Sequence, residues 1–207
     1  TEYQLFGDVR FSQGDTDLRG NRAIWRRESG IIQLDGQVLV QQPHRWVSAQ
    51  SMTYERAGRT VLAIGDVHLE DTTQSFALFS QRARYDRGRD LAVADSAPVV
   101  YWDFLLDSAA QTVVHADTVI YDRLARRGEG VGNVTVRKGD WVAEGERGTI
   151  NPDSNLAVMT GQPTATGIGG TIKGDTLVME FSGRGVRRVR AIGNASGTYR
   201  DTTLDGS

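Results

Sequence analysis

Ala49-Gln50-Ser51-Met52-Thr53-Tyr54, followed eleven residues later by Gly65-Asp66-Val67-His68-Leu69, decides the fold, because each part of it returns along the chain. The glycine recurs at Gly7, Gly36, Gly65, Ser96, Gly132, Gly161 and Gly193, in steps of 29, 29, 31, 36, 29 and 32 residues. Trp25, Tyr54, Tyr85, Tyr121 and Ile150 each stand 11 residues before the next of these anchors, and Gly20, Ala49, Ser80, Ala116 and Gly145 five residues earlier still. Aromatic residues are 8% of the sequence, so chance places fewer than one at five such positions, and four are found. Self-similarity at this period marks stacked repeats, in which each unit buries its apolar face only against its neighbours.

Within a unit the pattern is that of strands. Gly7 is followed by Val9 and Phe11, Gly36 by Val38 and Val40, Gly65 by Val67 and Leu69, and Gly132 by Val134 and Val136. Polar residues such as Asp8, Arg10, Asp66, His68, Asn133 and Thr135 alternate with them, which gives a period-2 strand with one wet face. The anchor glycine marks a bend or bulge. Two units place proline after the anchor, with Pro98 before Val100 and Pro163 before Ala165, and proline fits a bulge or an edge better than a fully paired position. A second strand covers residues 47–54, 79–85 and 114–121 in successive units, and residues 26–30, 55–58, 86–88 and 151–154 are turn-forming. No stretch carries a 3.6-residue apolar stripe.

The prediction is therefore an all-β chain of stacked two-strand repeats of about 30 residues, forming a single domain over residues 1–200 with a polar, disordered tail over 201–207. Such units stack either as a parallel β-helix or as an open antiparallel β-jelly-roll. Tight turns at both ends of each strand pair favour the antiparallel form.

Composition removes several function classes. The 24 basic and 26 acidic residues are mixed along 207 residues with a net charge of −2, so no one-sided basic field exists for nucleic acid. The absence of cysteine excludes disulfides and thiolate chemistry. No apolar run approaches the roughly 20 residues of a membrane span. Thr1 opens almost directly on a strand pattern, which reads as a mature or trimmed product with no signal peptide or anchor.

The chemistry-bearing residues are sparse. His44, His68 and His115 sit in different units without metal-ligand spacing, and His68 lies on the polar side of its strand. Asp95, Asp103, Asp107 and Asp117 raise the alternative of a β-helical protein that binds or cleaves polysaccharide with aligned carboxylates, but they fall at different repeat offsets. No Gly-x-Ser-x-Gly elbow is present. Tyr101-Trp102-Asp103-Phe104-Leu105-Leu106 is the densest apolar run, either a buried hairpin or an exposed lip. Arg184, Arg187, Arg188 and Arg190 either meet lipid phosphates or guard an edge strand. Asn133-Val134-Thr135 and Asn194-Ala195-Ser196 match the glycosylation sequon only by chance.

The recurring Gly-x-Val-x-apolar motif, the Ala-x-x-x-x-Tyr motif of residues 49–54 and 116–121, and Gly161-Gln162-Pro163-Thr164-Ala165 resemble the OstA-like family of lipopolysaccharide-transport periplasmic proteins over roughly residues 5–199. That family includes LptA, the periplasmic part of LptC and the N-terminal domain of LptD. The resemblance implies an open β-jelly-roll in the periplasm of a Gram-negative bacterium, without catalytic activity or cofactor. Its apolar groove would carry the lipid A acyl chains of lipopolysaccharide. The groove residues would be Val9, Phe11, Val38, Val40, Val67, Leu69, Val100, Val134 and Val136, with Tyr54, Tyr85 and Tyr121. The resemblance also implies end-to-end association, with other OstA-like domains or head-to-tail with copies of itself, through edge strands near residues 5–11 and 189–199. The long unit from Ser96 to Gly132 and three extra residues between Met179 and Gly193 depart from the pattern and leave the family branch open. A self-assembling structural repeat protein without a ligand is a further alternative.

Overall fold

Every repeat anchor sits where a strand turns a corner. The computed structural model describes residues 1–103, 105–106, 110–183 and 185–199; Phe104, Asp107, Arg184 and the tail expected over 201–207 lie outside the described residues. Six long strands come first: β1 (Glu2–Gln13), β2 (Thr16–Arg26), β3 (Ile31–Gln42), β4 (Arg45–Glu55), β5 (Thr60–Asp71) and β6 (Phe76–Asp86). Four shorter ones follow: β7 (Leu91–Asp95), β8 (Val99–Trp102), β9 (Thr112–His115) and β10 (Thr118–Asp122). Then come the long β11 (Arg127–Lys138) and β12 (Trp141–Asn151). The chain closes with β13 (Leu156–Thr160), β14 (Thr164–Gly167), β15 (Gly170–Lys173), β16 (Thr176–Ser182), β17 (Gly185–Ile192) and β18 (Ser196–Tyr199). No helix occurs among the described residues.

Each long strand is broken in its middle, and the breaks line up. The register shifts between Phe6 and Val9, Arg19 and Arg22, Asp35 and Val38, Ser48 and Ser51, Ile64 and Val67, and Val131 and Val134. At the two prolines the break becomes complete: Ser96, Ala97 and Pro98 separate β7 from β8, and Gly161, Gln162 and Pro163 separate β13 from β14. The sheet thus folds along a crease into two layers. Layer I holds residues 2–6, 22–26, 31–35 and their successors; layer II holds residues 9–13, 16–20, 38–42 and theirs. All pairings between described strands are antiparallel, so the parallel β-helix alternative does not form.

The crease has a steric cause. Gly36 and Gln37, Gly65 and Asp66, Gly132 and Asn133, and Gly161 and Gln162 are consecutive pairs in the left-handed region. Glycine is favoured at the first place of these four pairs because the preceding strand lays a polar side chain across it; at the corresponding corner Ser96 takes the left-handed conformation itself. A Cβ on Gly36 would stand 2.7 Å from Asn21, and one on Gly161 2.5 Å from Glu146. Asn133 and Asn194 occupy the second place and donate to Asp117 (2.9 Å) and Asp175 (3.0 Å), which accounts for both asparagines without glycosylation. Small anchors face the crease from the adjacent strand: Val9 lies opposite Gly20, Val38 opposite Ala49, Val67 opposite Ser80 and Val134 opposite Gly145.

The slab has two open ends. Among the described residues, β1 at one end pairs only with β2; at the other β17 pairs only with β16, and β18 only with β15. The arginines of β17 point away from the seam: Arg187, Arg188 and Arg190 are exposed, while Val186 and Val189 pack against the core.

Candidate binding groove

Two continuous rows of side chains face each other across the seam. In layer II, Phe11 lies opposite Leu18, Leu18 opposite Val40, Val40 opposite Val47, Val47 opposite Leu69, and Leu69 opposite Leu78. The row continues through Val100, Val114, Val136, Ala143 and Ala165 to Ile172, apolar at every step. In layer I the matching row runs Tyr3, Trp25, Ile32, Tyr54, Val61, Tyr85, Ala92, Tyr121, Gly128, Ile150. Trp25, Tyr54, Tyr85 and Tyr121 therefore occupy equivalent rungs, as their common offset requires. They share the face of Ala23, Met52, Ala83 and Val119, so they point into the seam at its mouth.

The rows do not stay equally far apart. Val9, Val38 and Val67 are buried beside the crease, but further out Val40 and Leu69 are only half-buried, and Phe11 and Trp25 are 44% and 45% exposed. A pocket of about 440 Å³ lies on the layer I side of this mouth, lined by Trp25, Arg27, Gly30, Ile32, Tyr54 and Arg56. From β6 onward the seam is shut. Val100, Val134 and Val136 are fully buried in one cluster with Phe76, Trp102, Met159, Leu177 and Met179. Tyr121 reaches from layer I to layer II, where it stacks on Phe76 with ring centroids 5.2 Å apart and donates its hydroxyl to Gln74.

The rims near this closure are polar and ordered. The Tyr85 hydroxyl donates to Asp90, and Arg123 Nε donates to both Asp90 oxygens at 2.9 and 3.0 Å. Those bonds, Tyr85's first, hold the Asp90 carboxyl below its ordinary range, while burial and the Asp90 charge push Tyr85 up. On the other rim Arg45 donates to Asp71 at 2.6 Å. The second Asp71 oxygen accepts from the Thr73 N–H and hydroxyl and from the Gln74 N–H, fixing the turn that presents Gln74.

The remaining sequence candidates scatter. His44 lies in an exposed turn, and His68 and His115 point outward from layer II, separated by the strands of Phe79 and Val99. His68 packs between Trp46 and Phe79, centroids 4.3 and 4.0 Å away, and burial holds its imidazole below the ordinary range despite Glu70 beside it. Asp103 pairs with buried Lys138 at 3.2 Å, Asp117 sits on the crease, and Asp95 accepts from Ser96; these carboxylates do not converge. The run from Tyr101 divides: Trp102 is core, Tyr101 joins Phe79 on the outer face, and Leu105 and Leu106 are exposed.

The protein family described as "LptA/(LptD N-terminal domain) LPS transport protein" matches residues 2–183. The chain belongs to this family. One solved structure to which the chain shows similarity is LptH of Pseudomonas aeruginosa, the LptA-homologous periplasmic component of the lipopolysaccharide transport device. It is 14% identical over 66% of this chain and 75% of that one, with a TM-score of 0.28. No curated protein matches the sequence. Among the described residues no helix is long and apolar enough to cross a membrane.

Two features of this LptA/LptD-type domain escape a search for apolar anchors. Gly128, Gly130 and Gly148 line the inner face of layer I in the closed region. A Cβ on Gly128 would stand 2.7 Å from Trp102, and one on Gly148 2.7 Å from Met159. Their missing side chains are what lets the layers close. The second feature is an arginine two residues after each mouth aromatic, at Arg27, Arg56, Arg87 and Arg123. The arginines are visible in the sequence as one residue type at a fixed offset, whereas the glycines share no repeat offset.

Proposed function

We propose that the protein is a non-enzymatic periplasmic carrier of lipopolysaccharide that holds lipid A acyl chains in the seam between its layers. The observation that carries this reading is the uninterrupted apolar row of layer II, open to solvent from Phe11 to Leu69 and closed beyond it. Acyl chains enter over Phe11, Val40, Leu69, Trp25 and Tyr54. Val9, Val38 and Val67 form the floor, and Val100, Val134, Val136, Tyr85 and Tyr121 extend the path where the layers part. Burial of a chain of about 12 carbons contributes up to ~9 kcal/mol before ordering costs, enough for capture without a specific polar contact. The unpaired outer edges of β1 and of β17 with β18 suit addition of a strand from another OstA-like domain or a second copy, giving a route between the inner and outer membranes.

Site-specific photo-crosslinking in cells tests the groove. Probes at Val40 and Leu69 are expected to trap lipopolysaccharide, while probes at the outward Asp66 and Thr135 do not. Equal labelling of both sets overturns the groove. Sedimentation over a concentration series, alone and with OstA-like partners, tests the edges. A proline at Thr198, inside β18, is expected to suppress association. A chain that stays monomeric and ignores every partner removes the bridging part and leaves the groove standing.

A further inference from the structure

The four arginines that follow the mouth aromatics form a column. The sequences are Trp25-Arg26-Arg27, Tyr54-Glu55-Arg56, Tyr85-Asp86-Arg87 and Tyr121-Asp122-Arg123; the fifth unit has Ile150-Asn151-Pro152 instead. Each arginine stands at one offset, just beyond the end of an equivalent strand. Successive members are two strand spacings apart, about 10 Å. The turns also stack: Arg56 N donates to Gly30 O at 3.1 Å and Arg87 N to Arg59 O at 3.0 Å.

The members differ in what they do. Arg123 is committed to Asp90. Arg27, Arg56 and Arg87 are exposed and make no ion pair or side-chain hydrogen bond with any described residue. Arg27 and Arg56 line the same pocket as the seam-facing Trp25, Ile32 and Tyr54. The stem of Arg56 packs over Gly30, where a Cβ would stand 3.1 Å from it. The opposite rim carries Asp15, Asp71, Asp103 and Asp140 at its strand ends and turns; Arg45 pairs with Asp71 and Lys138 with Asp103, which leaves Asp15 and Asp140 to set its sign.

Resting on the carrier reading, we propose that this rim is the head-group site of the groove. Arg27 and Arg56 hold a phosphate of an acylated amphiphile whose chains lie over Trp25, Ile32 and Tyr54. Guanidinium matches phosphate through paired charge-assisted hydrogen bonds, and the acidic opposite rim disfavours the reversed orientation. Arg87 repeats the offset about 10 Å further along and offers the next position for the same group as the lipid advances.

Equilibrium binding of the whole chain to lipid A, and to the same lipid stripped of its phosphates, tests this. Wild type is expected to prefer the phosphorylated lipid by about tenfold or more, with a preference that falls as salt rises. Arg27→Gln with Arg56→Gln should erase the preference and leave binding of the stripped lipid unchanged. Arg59→Gln with Arg89→Gln removes the same charge from the same rim at other offsets and should retain it. The inference is overturned if wild type binds both lipids equally, if the first pair keeps the preference, or if the second pair loses as much. Displacement of lipid by inorganic phosphate at the lipid's own affinity overturns the amphiphile as occupant. A wild type that binds neither lipid fails the carrier reading itself, whereas binding without phosphate preference fails only the head-group site.

Discussion

Val40 and Val136 hold the same place in their repeats, four residues after the anchor glycine, in the same row of the same layer. Yet Val40 is half-buried and Val136 is 1% exposed. Their own strands do not explain this, since each has apolar cross-strand neighbours, Leu18 and Val47 for one and Val114 and Ala143 for the other. What differs is the facing layer. Opposite the open region the mouth row carries Trp25, Ile32 and Tyr54. Opposite the closed region it carries Gly128, and Gly130 and Gly148 lie directly behind, so Trp102, Met159 and Val134 fill the gap. In a stack of near-identical units the width of the seam is thus set by side-chain volume on one face, with the strand pairing unchanged.

The comparison can be broken most strongly by putting a charge on each side of it. Val136→Asp buries an unpaired carboxylate in a packed cluster and is expected to cost about 3–5 kcal/mol, or to prevent folding. Val40→Asp, which can reach water, is expected to cost about 1 kcal/mol or less while reducing lipid capture. Chemical denaturation of the pair measures the gap, and equal losses would mean that the seam is equally closed throughout.

A second variant attacks the cause. Gly148→Leu drives a side chain into Met159 and Val134 and is expected to destabilise by about 1–3 kcal/mol. If the chain stays folded, a probe at Val136 should become as reactive toward lipid as one at Val40. Loss of stability with no gain in labelling would show that the glycines matter for packing but do not set the width.

The smallest expected effect concerns the polar closure. Burial alone would raise the Asp71 carboxyl, but hydrogen bonds from Thr73, Arg45 and the Gln74 N–H outweigh it and hold the group below its ordinary range. With the folded pKa below the unfolded one, the stabilisation is fully present above the ordinary carboxylate range near pH 4 and is lost as pH falls through the folded value. Because Asp71 fixes the turn that offers Gln74 to Tyr121, the layers should loosen at this point on strong acidification. Asp71→Asn is expected to lower stability by about 1–2 kcal/mol at pH 7, and the gap to wild type should shrink below about pH 4 in thermal melts. A gap independent of pH would remove the carboxylate from the closure.

The crease and the rungs were legible because both rest on local necessity. A positive φ under a crowding side chain leaves few choices besides glycine, and equivalent positions in a stack must carry equivalent residues. The prolines were legible for the same reason, since Pro98 and Pro163 each mark a complete break of the strand. The uneven width was not legible. It depends on contacts between layers, such as Tyr121 with Phe76 and Gly128 with Trp102, whose partners are set by folding of the crease and not by distance along the chain. The arginine column is legible as a fixed offset, but charged residues in turns ordinarily report only solvation.

The corners at Gly7 and Gly193 make the two ends of the slab bent edges. A flat strand laid along β1 can follow residues 2–6 or residues 9–13 but not both, because the ladder changes direction between them. Full pairing is open only to a strand that carries its own kink in phase. The fold can therefore expose edges at both ends and still reject indiscriminate strand addition: the password for joining the stack is a bend at the right position.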